Sequence, residues 1–209
     1  MDHQVKTWRI RFVGHLVKKE KRRNMKKWFA SIEGLDGSGK STVAKLLAEQ
    51  MGAVLYKCPP DPFRQFRKTV DEQVGDPVVK FFFYLAGNFQ AANEIRRMLE
   101  EHPVVCDRYI DSTLAFHRAQ GVQTDILVGD LGKILLMPDL RFFVACSRAV
   151  RITRMGGRGA MSFNDKLGLR IALRYIKEYK RLNPVMIDNS TKDPQVAVDA
   201  MIAQIRLLK

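Results

Sequence analysis

From Trp28 onward the chain alternates short, mostly apolar runs with longer stretches in which apolar residues recur every three or four positions. A short, uniformly apolar run suits a strand covered on both faces, and a 3.6-residue period suits a helix with one face packed against it. The predicted strands are Trp28–Glu33, Ala53–Tyr56, Pro103–Asp107, Leu140–Cys146 and Pro184–Ile187. Predicted helices fill the intervals: Lys40–Met51, Asp76–Glu101, Ser112–Gln120, a segment near Asp125–Leu136, Arg148–Met155, Phe163–Leu182 and Pro194–Leu208. Such alternation gives βα units feeding a mostly parallel sheet, an α/β fold. Two helices have clear signals at their ends. Ser162 with Asp165 three residues on caps one before Asn183-Pro184 stops it, and Asp193-Pro194 opens the last, whose apolar face is Val198, Met201, Ile202, Ile205 and Leu208.

At 209 residues and 46% hydrophobic, the chain suits one domain with a substantial core. It has no uninterrupted apolar stretch of about 18 residues and no secretory pattern at the start, so the expectation is a cytoplasmic protein without a membrane anchor. Cys58, Cys106 and Cys146 are odd in number and widely spaced, which argues against disulfides and metal clusters. The net charge of +14 changes the picture only through its distribution. Residues 1–27 contain ten Lys/Arg against Asp2 and Glu20, leaving a modest excess for the rest. Residues 1–24 lack a sustained period and include the run Lys18–Arg23, so they are expected to form a flexible basic extension. That extension is a solvated tail, a contact for nucleic acid or a membrane surface, or a targeting or upstream-translated segment, because Met25 would itself serve as a start. Nucleic acid is not otherwise expected as a partner.

The strongest chemical signal is Gly34-Leu35-Asp36-Gly37-Ser38-Gly39-Lys40-Ser41, which fits G-x-x-x-x-G-K-[ST] between a strand and a helix. Average composition would produce the four fixed positions by chance in about one chain in a hundred of this length. Glycines let the backbone close around phosphates, and successive N–H groups at the helix start face them. Lys40 offers a charge to the β- and γ-phosphates of a nucleoside triphosphate, and Ser41 a hydroxyl to Mg2+. A second cluster, Val104-Val105-Cys106-Asp107-Arg108-Tyr109, puts an acid and an arginine at the end of another strand, where open α/β sheets bind ligands. Asp107 suits Mg2+ or its waters, and the Arg108 fork suits an acceptor phosphate.

The stretches Ile32–Thr42 and Asp107–Phe116 resemble the two signatures of thymidylate kinases, and the likeness runs from Met25 to the C-terminus. Pro138-Asp139-Leu140, Arg151–Arg158 and Ile187-Asp188 fall in the family's order. The resemblance implies a three-layer sandwich with a five-stranded parallel sheet, a kinase domain over 25–209 with a lid near 151–162, and a homodimer. It implies ATP with Mg2+ as cofactors and dTMP as acceptor. ATP would be held by Gly34, Leu35, Asp36, Gly37, Ser38, Gly39, Lys40, Ser41 and Thr42, with Ser41 and Asp107 at the metal. Asp36 would lie near the acceptor sugar, and Arg108 on its phosphate. Gly37 and Ser38 cannot supply the arginine that reaches the transferring phosphates, so the lid must. Arg154 and Arg158, near Gly156, Gly157 and Gly159, are the first candidates, and Arg151 is the third.

Departures from the family pattern fall in the acceptor pocket. Tyr84 aligns with the aromatic that stacks on the base, and Asn88 with the arginine that reads it. Phe116 stands where many members have a tyrosine near the sugar 2′ position, and Thr113 aligns with a small polar residue at the base edge. Pro59-Pro60-Asp61-Pro62 replaces the usual Arg-Glu-Pro, leaving Arg64 or Arg67 to supply that phosphate contact. Nucleoside kinases have a glutamate after the second strand, and Lys57-Cys58-Pro59-Pro60 has none, which favours a monophosphate acceptor. Kinases of another pyrimidine nucleotide or of a nucleoside, and a P-loop ATPase or nucleic-acid-binding module, stay open as alternatives.

Overall fold

A computed structural model describes residues 27–156 and 168–208. Five strands form one all-parallel sheet: β1 (Phe29–Glu33), β2 (Val54–Lys57), β3 (Val104–Asp107), β4 (Leu140–Ala145) and β5 (Val185–Asp188). Their order is β2-β3-β1-β4-β5, and β1, buried throughout, sits at the centre. Helices α1 (Lys40–Met51), α2 (Phe63–Gln73), α3 (Pro77–Met98), α4 (Ile110–Ala119), α5 (Thr124–Val128), α6 (Arg148–Gly156), α7 (Gly168–Arg181) and α8 (Gln195–Ile205) connect or follow them.

The two-residue period of β1 divides the core. Ala30 and Ile32 face one side, where they pack with Val43 and Leu47 of α1 and Val198, Met201 and Ile205 of α8. Phe29 faces the other, with Phe81 and Ile95 of α3 and Ile110 of α4, while Tyr175 and Tyr179 of α7 pack near Phe143. Two helical layers thus enclose the sheet, as expected of an α/β three-layer sandwich. After β1 the chain turns toward β2, and after β3 it crosses to β4 on the opposite side. The carboxyl ends of these adjacent strands therefore frame a crevice, the usual ligand position in open α/β sheets.

Every predicted strand is present within a residue or two of its expected bounds, and α1 coincides with its prediction. Two predictions need correction. Helix α2 was not expected, because the proline-rich stretch before it reads as loop, although Phe63, Phe66 and Val70 repeat at helical spacing. The helix near Asp125–Leu136 is instead short α5 followed by a 3-10 turn at Leu131–Lys133, since Gly129 leaves the helix at φ 54°. Asp76 caps α3 by accepting the Val78 N–H at 2.7 Å, with Pro77 in the first turn. The basic extension at residues 1–24, the Ser162 and Asp165 cap, Arg158 and half of the expected lid lie outside the described residues. Among the described residues no helix is long and apolar enough to cross a membrane, and the three cysteines are free.

Candidate active site

The loop from Gly34 to Gly39 leaves the central strand and enters α1 in a conformation that only glycine accepts at its key points. Gly39 has φ 86°, and a Cβ there would lie 2.4 Å from Asn189 Nδ2. Asn189 cannot retreat easily, because it is buried and donates to Ser38 O at 2.8 Å. Lys40 begins the helix and reaches back to Asp36 Oδ1 at 3.0 Å, while Ser41 and Thr42 are exposed in the first turn. Burial, reinforced by the nearby Arg108 charge, lowers Lys40 to about 8 against the opposing pull of Asp36 and Asp107.

Arg108 follows β3 with φ 69°, a conformation uncommon for a residue with a side chain. Its N–H still donates to Ile32 O at 3.0 Å, so the turn stays pinned to β1. Its guanidinium donates to Asp36 Oδ1 at 2.5 Å and to Ser112 Oγ at 3.2 Å. Glu33, fully buried at the end of β1, braces the turn from below by accepting the Tyr109 N–H at 2.7 Å and the Ser112 hydroxyl. Burial, with the Asp111 charge adding to it, pushes the Glu33 carboxyl up to about 8 despite Ser112, Arg108 and the Tyr109 N–H. Glu33, Ser112, Arg108, Asp36 and Lys40 therefore form one continuous chain of contacts. Glu33 and Ser112 lay within the quoted motifs without an assigned role, and only burial reveals one.

Asp107 is 5% exposed, and its Oδ1 has no hydrogen-bond partner. Among the described residues no three His, Cys, Asp or Glu side chains gather as a metal cage. The unpartnered Asp107 oxygen fits a residue that would hold Mg2+, with the exposed Ser41 hydroxyl as the second group that would do so.

Beside this cluster a cleft runs between α3, α4 and α7. Its lining includes Gly34, Leu35, Asp36 and Arg108 at one end and Tyr84, Asn88, Thr113 and Phe116 toward the other. Asn88 is 1% exposed and fully engaged: Nδ2 donates to Tyr84 O at 2.9 Å and to Thr113 Oγ1 at 2.8 Å, and Oδ1 accepts from Cys58 Sγ at 3.5 Å. Because Tyr84 O can only accept, the amide orientation is fixed. Tyr84 donates its hydroxyl to Asp71 Oδ1 at 2.7 Å, and Arg67 donates to both Tyr84 and Asp71 at 3.2 and 3.3 Å. His117 also lines the cleft, lowered to about 4 by burial and hence neutral. Its Nδ1 donates to Thr113 O at 2.7 Å, which leaves Nε2 as a buried lone pair without a partner.

Two sequence-predicted residues take other positions. Arg64 does not line the cleft. It donates to Pro59 O and Lys57 O at 3.3 and 3.0 Å, and Arg67, one turn along unforeseen α2, occupies the place instead. Arg154 lies on α6, within the predicted helix, but its terminal nitrogens meet Ser38 O, Asn189 O and Thr191 O at 3.2, 2.9 and 3.0 Å rather than opening toward the cleft lining. Arg67 and His117 come from separate helices, so no local motif joins them. The sequence offered Arg67 as an alternative to Arg64, and the helical spacing of α2 is the signal that could have chosen between them, whereas His117 had none.

A family profile for thymidylate kinase matches residues 32–202. A probable thymidylate kinase from Sulfolobus acidocaldarius is 26% identical over 174 residues, covering 78% of this chain and 88% of the relative. The human mitochondrial UMP-CMP kinase 2 is 35% identical over 137 residues, 62% of this chain but 30% of that larger protein. Among solved structures, thymidylate kinase from Candida albicans superposes with TM-score 0.71 at 19% identity, covering 87% of this chain and 92% of the other. With a glycine-rich phosphate loop, a second strand-end arginine and a profile match spanning most of its length, the chain belongs to the thymidylate kinase family and is a nucleoside-monophosphate kinase.

Proposed function

We propose that the chain transfers the γ-phosphoryl group of ATP to dTMP, giving dTDP and ADP. The observation that supports it most is the convergence on Asp36 Oδ1, which takes Lys40 Nζ at 3.0 Å and Arg108 Nη2 at 2.5 Å. A P-loop lysine and an arginine from the next strand meet at one oxygen, so a group passing between donor and acceptor phosphates has cations on both sides. The loop Gly34–Thr42 holds ATP through its N–H groups. Ser41 and Asp107 would hold Mg2+, which when bound would supply charge neutralisation for the phosphates. Arg108 binds the acceptor phosphate, Tyr84 and Phe116 flank the base and sugar, and Asn88 and Thr113 meet the base edge. No strong base is needed, because a phosphate acceptor is already anionic. The family resemblance also supports a homodimer, and a cytoplasmic setting is the matching expectation.

A second reading, another pyrimidine monophosphate as acceptor, draws support from Asn88. Both of its amide hydrogens are already engaged, so it holds no donor in reserve for a thymine oxygen. The likeness to UMP-CMP kinase 2 points the same way. Coupled ADP release against dTMP, dUMP, dCMP, UMP, CMP and the nucleosides is the test. Highest kcat/KM with dTMP supports the main reading, preference for dCMP or dUMP supports the second, and turnover only with nucleosides removes both.

A further inference from the structure

We propose that, of the two described arginines on α6, Arg151 is the one that neutralises the transferring phosphoryl group, and that Arg154 is a strut holding the phosphate loop. The inference rests on the kinase reading above. Helix α6 lies directly on the loop at Gly37. A Cβ there would meet Met155 Cγ at 2.8 Å, Arg151 Cγ at 2.9 Å and Arg151 O at 3.1 Å. A side chain at position 37 is thus barred by two side-chain stems and crowded by main chain, and Gly37 has φ 84° besides. The same contact that bars an arginine from the loop brings the stem of Arg151 to that place.

The two arginines one turn apart on α6 differ in what they hold. Arg154 gives its terminal nitrogens to Ser38 O, Asn189 O and Thr191 O, tying the loop to the segment after β5. Three of its five N–H donors are thus spent on main-chain carbonyls. Arg151 lines the cleft with Gly34, Leu35, Asp36 and Arg108, and its guanidinium makes no hydrogen bond or ion pair to any described residue. Its Nε is buried without a partner. A cation so placed is stabilised when an anion arrives, and the phosphoryl group between ATP and acceptor is the anion this cleft is built for. In the transfer, the bond from the γ-phosphorus to its bridging oxygen breaks as one forms to an acceptor phosphate oxygen, and ADP leaves with the electron pair. No proton is moved, so neutralising the charge is the contribution that a fixed arginine makes.

The experiment measures kcat, both KM values and Tm for Arg151→Gln, Arg151→Ala and Arg154→Ala, and the trapping of ADP with aluminium fluoride and dTMP. Gln keeps much of the stem over Gly37 and removes the charge, and α6 has no fully buried residue, so folding should be preserved. We expect both Arg151 variants to lose about a thousandfold in kcat and the ability to form the trapped complex, with ATP KM and ADP affinity within about threefold. Arg154→Ala should instead raise ATP KM and lower Tm, with kcat falling by less than about tenfold. Arg151→Gln retaining kcat within about tenfold of a wild type that turns over dTMP overturns this inference alone. So does an Arg154→Ala loss matching that of Arg151 at unchanged Tm and ATP KM. A wild type inert toward every monophosphate sinks the kinase reading and this inference together.

Discussion

At the phosphate end of the cleft the groups come from two short segments, Gly34–Thr42 and Asp107–Arg108, whereas at the base end Arg67 and Asp71, Tyr84 and Asn88, and Thr113 and His117 come from three separate helices. The first end works through main-chain N–H groups and a few charges fixed by strand ends. The second works through side chains that hold one another, as Asn88 holds Thr113 and Asp71 holds Tyr84. Under the proposed function, reaction type would therefore belong to a part of the molecule with little freedom to change, and acceptor preference to a part where one substitution re-aims several neighbours.

The comparison breaks most sharply at the phosphate end. Lys40→Ala and Arg108→Ala should each reduce kcat/KM by about a thousandfold or more, measured by coupled ADP release, since they remove charge facing the transferring group. Near-wild-type rates in either would show that the Asp36 convergence is unrelated to catalysis. Next in size is Gly39→Ala, which forces a Cβ onto Asn189 at positive φ. It should destabilise by about 1–3 kcal/mol, seen as a lower Tm, and weaken ATP binding.

At the base end the expected effects are milder. Asn88→Ala leaves Cys58 and Thr113 without a shared partner and should raise acceptor KM about tenfold while ATP KM stays level. Arg67→Ala should likewise raise acceptor KM, and Arg64→Ala should leave it within about threefold, because only Arg67 lines the cleft. Equal behaviour of the two arginines would erase the distinction drawn between them.

The smallest effect lies beneath both ends, at Glu33. Its carboxyl rises on folding from an ordinary 4.5 to about 8, so the protonated form favours the fold. That contribution is complete below about pH 4.5 and is lost as pH rises through about 8. Glu33→Gln keeps an acceptor for the Tyr109 N–H without acquiring a charge. Its Tm relative to wild type should climb between pH 6 and pH 9, and a flat difference across that range would remove Glu33 as a buried titrating group.

Local chemistry along the chain was enough to set the strands, the phosphate loop and the Asp107-Arg108 turn, because each depends on neighbours in sequence: an apolar run, glycines at positive φ, a helix start. It also put Arg108 at a strand end, where parallel sheets gather ligands. It did not foresee α2 behind its prolines or the break at Gly129, and it left Arg64 and Arg67 as alternatives, of which only Arg67 lines the cleft. Nor could it separate Arg151 from Arg154, since both are arginines on one basic helix. Only the packing of α6 on Gly37 and the carbonyls around Ser38 tell them apart. Spacing along a chain fixes which residues share a turn, but which donors are already satisfied is decided by elements that meet in three dimensions.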